Sequence, residues 1–177
     1  FSAVDSDKEE DLWTYLETQR KMGHEVFAIP HNGNVSNSMM YNPNTSNGVA
    51  INKARAARRA RNEVATEIIQ TKGQSDTHPA LSPYDEFADF DTWDRSNLNG
   101  TEVKRQEMLQ WEYSREALKT GLMLEKQLGV NPYKFGMVGS SDAHTALAAV
   151  EEENFFGKHS GVEPEPDRWK QIGRAHV

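Results

Sequence analysis

The sequence predicts an α/β fold built from parallel strands with helices between them. Three observations carry that reading. Short apolar or β-branched runs at 26–29, 64–70 and 134–139 have the length and residue types of strands. Helical patterns precede and separate them, giving helix, strand, helix, strand, helix, strand. The stretches richest in chemical groups each follow a strand. Strands separated by helices imply βαβ units with right-handed crossovers.

Taken in order, Ser6 with Glu9 three residues on suggests a capping box. Leu12, Trp13 and Leu16 follow at helical spacing, and Gly23 suits the end of that helix. Val26 to Ile29 reads as a buried strand stopped by Pro30, and the Asn-, Ser- and Gly-rich stretch from His31 to Gly48 as loop. Ile51 to Arg61, rich in Ala and Arg, should be helical. Val64 to Gln70 is the second strand. Thr71 to Lys104 is a long loop with interleaved Tyr84, Phe87, Phe90 and Trp93. Arg105 to Leu128 reads as the longest helix, with a stripe of Ala117, Leu118, Gly121, Leu122, Leu124 and Leu128. Gly129 ends it and Pro132 follows. Lys134 to Gly139 is the third strand, and 151–170 has no clear period.

Composition narrows the function classes. The 177 residues hold 20 Lys and Arg against 27 Asp and Glu, for a net charge of −7. An acidic chain is a poor general partner for nucleic acid. No apolar run approaches the ~20 residues of a membrane helix. There is no cysteine, so any metal must be held by imidazole and carboxylate. The chain opens Phe1-Ser2-Ala3-Val4, without Met or signal peptide, and closes Ile172-Gly173-Arg174-Ala175-His176-Val177, which looks like a translated sequencing adapter, the alternative being a natural tail. The expectation is an internal piece of a longer protein with a foreign tail at 172–177.

Ligands of parallel α/β folds bind at the carboxyl ends of strands. Three polar clusters are expected to meet there: His31 to Asn34, Lys72 to His78, and Ser140 to His144. Asp142 and His144, two apart just past a strand, offer an oxygen and a nitrogen to a metal; the alternative is a turn with a solvated His. His31, directly after Pro30, has a fixed approach, and otherwise is a hydrogen-bonded loop His. Together the three make a set typical of hydrolytic metal sites. The Gly-x-Ser-x-Gly elbow and the Walker loop are absent.

Other features read more plainly. Lys53, Arg55, Arg58, Arg59 and Arg61 are expected to form a solvated helix face rather than an RNA-binding one. Asp85, Glu86, Asp89, Asp91 and Asp94 lack the spacing of a calcium loop and read as a surface loop. Glu67 falls mid-strand, aimed either inward or outward. Lys158 and His159 either meet an anionic substrate or lie on a surface loop.

Five stretches resemble one known family. They are Ile29-Pro30-His31-Asn32-Gly33-Asn34-Val35-Ser36-Asn37, Glu67-Ile68-Ile69-Gln70-Thr71-Lys72-Gly73, Thr77-His78-Pro79-Ala80-Leu81-Ser82-Pro83, Phe135-Gly136-Met137-Val138-Gly139-Ser140-Ser141-Asp142-Ala143-His144 and Glu153-Asn154-Phe155-Phe156-Gly157-Lys158-His159-Ser160-Gly161. The resemblance is to a bacterial domain of unknown function in the PHP (polymerase and histidinol phosphatase) superfamily of metal-dependent phosphoesterases. It covers about Phe1 to Trp169.

The resemblance implies a distorted (β/α)7 barrel with two or three metals at its carboxyl mouth. His31 falls on a ligand His, and Asp142 and His144 on the late Asp-x-His. The superfamily's initial His-x-His, its Asp-His, a middle Glu and a further His have no match in this sequence. No metal role is carried onto Glu67. Residues 1–171 are then the C-terminal half of one barrel domain. Activated water would attack a phosphate ester, with Zn, Mn or Fe as the divalent ion. Lys72, His78, Lys158 or His159 would steady a small anionic substrate. The short ligand set implies that the chain alone is incomplete as an enzyme. A non-catalytic binding barrel, or an amidohydrolase-like enzyme of another ester or amide, are the other readings. Localisation stays open, with the resemblance leaning toward export.

Overall fold

The first helix, α1, spans Glu9–Lys21 with three acids in its first turn and Arg20 and Lys21 in its last. That order suits the helix dipole. The expected capping box is displaced: Lys8 is the N-cap, and the Ser6 hydroxyl accepts from the Lys8 N–H at 3.1 Å and donates to Asp11 at 2.7 Å. Ser6 lies two residues too early to reach the third helical N–H. Gly23 takes a left-handed φ of 90° just past the helix end. The second helix, α2, spans Lys53–Asn62, and the Asn52 side chain caps the Arg55 N–H at 2.9 Å.

A computed structural model describes residues 1–144. The chain divides into two compact units, 1–138 and 139–177. Among the described residues the architecture is mixed α/β, with a three-stranded sheet in the order β2-β1-β3. Strand β1 is Ala65–Gln70, β2 is Gly73–Gln74 and β3 is Gly136–Gly139.

Of the three expected strands, 64–70 and 134–139 form as β1 and β3, the first is reduced to a bridge, and the unexpected β2 is added. β1 and β2 are antiparallel, with Ile69 opposite Gln74 and Gln70 opposite Gly73 across a two-residue turn. Val26 to Ile29 forms no strand, only a single parallel bridge from Ala28 to Glu63. Nor is it buried: Phe27 and Ile29 are 53% and 44% exposed. The segment is tied to the start of β1 by Ala28 N–H to the Asn62 carbonyl (2.8 Å) and Glu67 N–H to the Pro30 carbonyl (2.9 Å). Pro30 has no N–H with which to extend the pairing.

The expected solvated arginine face is also corrected. Arg55 and Arg59 are buried between α1 and α2. The guanidinium carbons of Arg55, Arg58 and Arg59 lie 5.0, 5.7 and 5.9 Å from the Trp13 ring centroid. Glu9 and Glu10 pair with Arg55, Glu17 with Arg58 at 2.8 Å, and Glu63 with Arg59 at 2.9 Å. A planar guanidinium can stack on an indole and still bond carboxylates at its edge, which is why arginine rather than lysine fills these positions. Burial alone would lower the Arg59 guanidinium. The surrounding Glu63, Tyr133 and Glu9 instead hold it well above its ordinary value.

The predicted helix from Arg105 is broken in two. Gln106–Trp111 is a 3-10 segment, and helix α3 begins at Ser114 and runs to Leu128. The break lets the Trp111 carbonyl accept from Tyr41 N–H (2.9 Å) and buries Glu112 and Tyr113. The α3 stripe is Ser114, Ala117, Thr120, Gly121 and Leu124, whereas Leu122 is 65% exposed. A Cβ at Gly121 would lie 2.2 Å from the Asn131 side-chain oxygen, which accepts the Tyr133 N–H, and would have to displace it. The apolar core joins Tyr41, Ala117, Leu124 and Tyr133, with Phe135 packed against it. Its phenols are bonded internally: Tyr41 to the Thr66 hydroxyl (2.6 Å) and Tyr133 to the Tyr41 carbonyl (2.7 Å).

Lys158, His159, the 151–170 segment and the 172–177 tail lie outside the described residues. Among the described residues no helix is long and apolar enough to cross a membrane.

Candidate functional site

β1 ends at Gln70, and two of the three polar clusters meet beside it. The Gln70 amide donates to the Asn32 side chain at 2.5 Å, and its oxygen accepts the Lys72 N–H at 2.7 Å. Asn32 takes a left-handed φ of 61°, a conformation Asn tolerates better than most residues. Asn34 then turns inward and is buried. Its amide donates to the Lys72 and Trp93 carbonyls at 2.9 and 3.2 Å, and its oxygen accepts from the Ser75 hydroxyl at 2.8 Å. One side chain thus joins the first cluster to the second and to the long loop.

Lys104 and Glu112 lie behind Asn34. The Lys104 ammonium donates to the Asn34 carbonyl at 2.8 Å and to both Glu112 oxygens at 2.5 Å, and the Glu112 carboxylate is fully buried. Ser38 N–H adds a bond to that carboxylate at 3.0 Å. A buried pair holds only when its remaining lone pairs are satisfied, as they are here. Sequence reasoning missed Asn34, Lys104 and Glu112 as organising residues. The only local signal was an Asn following Gly in the cluster after the first predicted strand.

His31 sits at the outer edge of this network and is exposed. The preceding Pro30 carbonyl is fixed by Glu67 N–H and by the Thr66 hydroxyl at 3.1 Å. The His31 Nδ1 lies 3.3 Å from the Ile29 carbonyl. A carbonyl can only accept, so Nδ1 carries the proton in that bond and Nε2 keeps its lone pair. This is the tautomer arrangement that orients a histidine for metal ligation. Glu67 is buried on β1, inside rather than on the solvent face.

His78 is held differently. Its Nδ1 accepts Ala80 N–H at 3.1 Å, so Nε2 carries the proton and donates to Asp94 at 3.0 Å. Both ring nitrogens are therefore committed. Its ring also rests 5.5 Å, centroid to centroid, from Tyr113, whose buried hydroxyl has no partner among the described residues. Burial, with Glu112 and Asp94 nearby, pushes the Tyr113 phenol well above its ordinary value. The same cluster also anchors α3: Ser114 and Arg115 N–H groups donate to the Ser75 and Asp76 carbonyls at 2.9 and 3.0 Å. These are helix N-terminal donors that would otherwise lack partners.

The third cluster belongs to the second unit. Asp142 has a left-handed φ of 53° there. His144 Nε2 lies 2.9 Å from its Oδ1, so the two side chains are in direct contact. The Asp142 side chain is 13% exposed and that of His144 54%. Among the described residues no group of three or more His, Asp or Glu is set to hold a metal ion.

Residues 1–176 match a family model described as a protein of unknown function (DUF3604). No curated protein and no solved structure matches.

Proposed function

The chain belongs to this family of unknown function, and we propose that it is the C-terminal part of a metal-dependent phosphoesterase with a PHP-type (β/α)7 barrel. The observation that carries the reading is the contact of Asp142 with His144 immediately beyond β3. It is supported by His31, whose Nδ1 bond to a backbone carbonyl leaves Nε2 as a ligand nitrogen. Two imidazoles and a carboxylate, in a chain without cysteine, fit a borderline divalent ion such as Zn, Mn or Fe.

His31, Asp142 and His144 would hold that ion, and it would supply Lewis-acid activation of water near neutral pH. The protein's own work is positioning. Pro30, fixed on β1, sets the direction from which His31 enters. Gln70 and Asn34 hold the Lys72 backbone by its N–H and carbonyl, and in this reading its ammonium would meet a phosphate oxygen. His78 serves this reading as a brace: bonded to Asp94 and Ala80, it fixes the loop between 78 and 94.

The test is turnover. The longer protein expected to supply the remaining ligands, stripped with chelator and reloaded with Zn, Mn or Fe(II), should hydrolyse a chromogenic phosphate monoester or diester, and Lys72→Met should raise its KM more than it lowers kcat. Metal uptake without turnover of phosphate esters, sulfate esters or amides would replace the enzyme with a metal-holding barrel.

A further inference from the structure

Apart from the buried Ala88, the segment from Tyr84 to Asp94 lies outside the core and outside the proposed metal site. It carries five carboxylates and no Lys or Arg. Two of the five are engaged: Asp85 with Arg115 at 2.6 Å and Asp94 with His78. Glu86, Asp89 and Asp91 are exposed, and their carboxylates make no hydrogen bond or ion pair among the described residues. Interleaved with them are exposed rings. Tyr84 is fully exposed at 101%, Phe87 is 70% and Phe90 62% exposed. A folded chain rarely leaves three consecutive aromatic rings in water without a use for them.

The rings are not adrift. Gln74 N–H donates to the Asp91 carbonyl at 3.0 Å, and the Gln74 side chain donates to the Ala88 carbonyl at 2.5 Å. Asn34 holds the Trp93 carbonyl. Ala88 is buried beneath its neighbours. The segment is therefore a presented surface, pinned at 88, 91 and 93. At its start lies an open groove of about 730 Å³, lined by Leu81, Pro83, Tyr84, Phe87 and Glu86, with the Asp85–Arg115 pair among its lining residues.

We propose that this groove and the row beyond it dock an extended, basic segment of a partner polypeptide. Apolar stems of Lys or Arg would lie along Tyr84 and Phe87, and their charged ends would meet Glu86, Asp89 and Asp91. Charge complementarity selects this occupant. The segment is wholly acidic within an acidic protein, so an acidic or phosphorylated partner is repelled. Ring faces and carboxylates together favour cations through both cation–π attraction and ion pairing. This proposal is independent of the metal site.

The probe is a blocked twelve-residue peptide of alternating Lys and Ala, compared with the same peptide carrying Glu for Lys, titrated calorimetrically into the full chain. The Lys peptide should bind and the Glu peptide should not. Affinity should fall at least tenfold in Tyr84→Ala/Phe87→Ala, and separately in Glu86→Gln/Asp89→Asn/Asp91→Asn. It should hold within about twofold in Tyr84→Phe, and it should weaken between about 20 and 150 mM salt. All substituted side chains are exposed, and far-ultraviolet circular dichroism would confirm the fold. Absence of Lys-peptide binding overturns the proposal. Loss only in the carboxylate variant, with the aromatic variant unchanged, overturns it as well, since that is unspecific charge attraction. Binding of a neutral oligosaccharide that depends on Tyr84 and Phe87 but not on the carboxylates would assign the groove to sugar instead.

Discussion

Trp13 donates its indole N–H to Glu63 at 2.8 Å, tying the first helix to the residue that leads into the sheet. Around that bond three arginines of α2, three glutamates of α1 and Glu63 just past α2 share one partly dry interface. The interface is ionic and aromatic where most helix pairs are aliphatic. Truncating Trp13 to Ala should cost about 3–5 kcal/mol. Arg59→Ala should cost about 3–5 kcal/mol as well, because it strands buried Glu63. Urea unfolding would measure both, and their effects should be non-additive because they share partners.

The same interface sets an acid dependence. Arg58 bonds Glu17 and holds its carboxyl below the ordinary 4.5. Burial pushes Glu10 up, but its backbone N–H and Arg55 outweigh that and leave it lowered too. A carboxyl depressed in the folded state stabilises above 4.5 and loses that contribution as pH falls through its folded value. Glu9 is raised, chiefly by burial, and so acts in the opposite sense. Thermal melts from about pH 6 to about pH 3 should show a smaller loss of Tm in Glu10→Gln/Glu17→Gln than in the native protein.

Gly73 lies where the long loop closes on the β1–β2 hairpin. Its φ is 91°, and an added Cβ would stand 2.8 Å from both the Asp91 carbonyl oxygen and the Trp93 Cβ. Gly73→Ala should therefore lift the loop from the hairpin. Hydrogen exchange of the Gln74 amide, which bonds Asp91, should accelerate at least tenfold, while amides within α1 stay protected.

Lys104→Met removes the cation from a fully buried Glu112 carboxylate. The expected loss is about 3–5 kcal/mol. Lys104→Met/Glu112→Leu, which removes both charges, should recover most of it. Equal destabilisation of the single and double variants in chemical denaturation would contradict this description of the pair.

Much of the fold was legible from local pattern. Leu12, Trp13 and Leu16 marked α1, the Ala- and Arg-rich run marked α2, and Val64 to Gln70 marked β1. What was hidden depends on partners distant in sequence. A charge run cannot announce that Trp13, more than forty residues upstream, offers a ring face, so Arg55 and Arg59 read as solvated. A two-residue turn at Thr71 and Lys72 reverses the chain without any strong turn signal, so β2 went unseen. The helix break at Glu112 answers to Lys104 and Tyr41, not to a local Pro or Gly. Of the site, Asp142 and His144 came forward as candidates from their spacing. The bracing of Lys72 by Gln70 and Asn34 did not, because it arises from two loops meeting. His78 looked available to a substrate, yet Asp94 and Ala80 occupy both its nitrogens, and neither contact has a sequence motif.

His31, Asp142 and His144 are proposed as ligands of a divalent ion. Elemental analysis of the purified protein, beside Asp142→Ala/His144→Ala and His31→Ala, addresses this directly. The native protein should contain Zn, Mn or Fe, lost at least in large part in the double variant and reduced in His31→Ala. Full metal content retained in Asp142→Ala/His144→Ala would contradict that assignment.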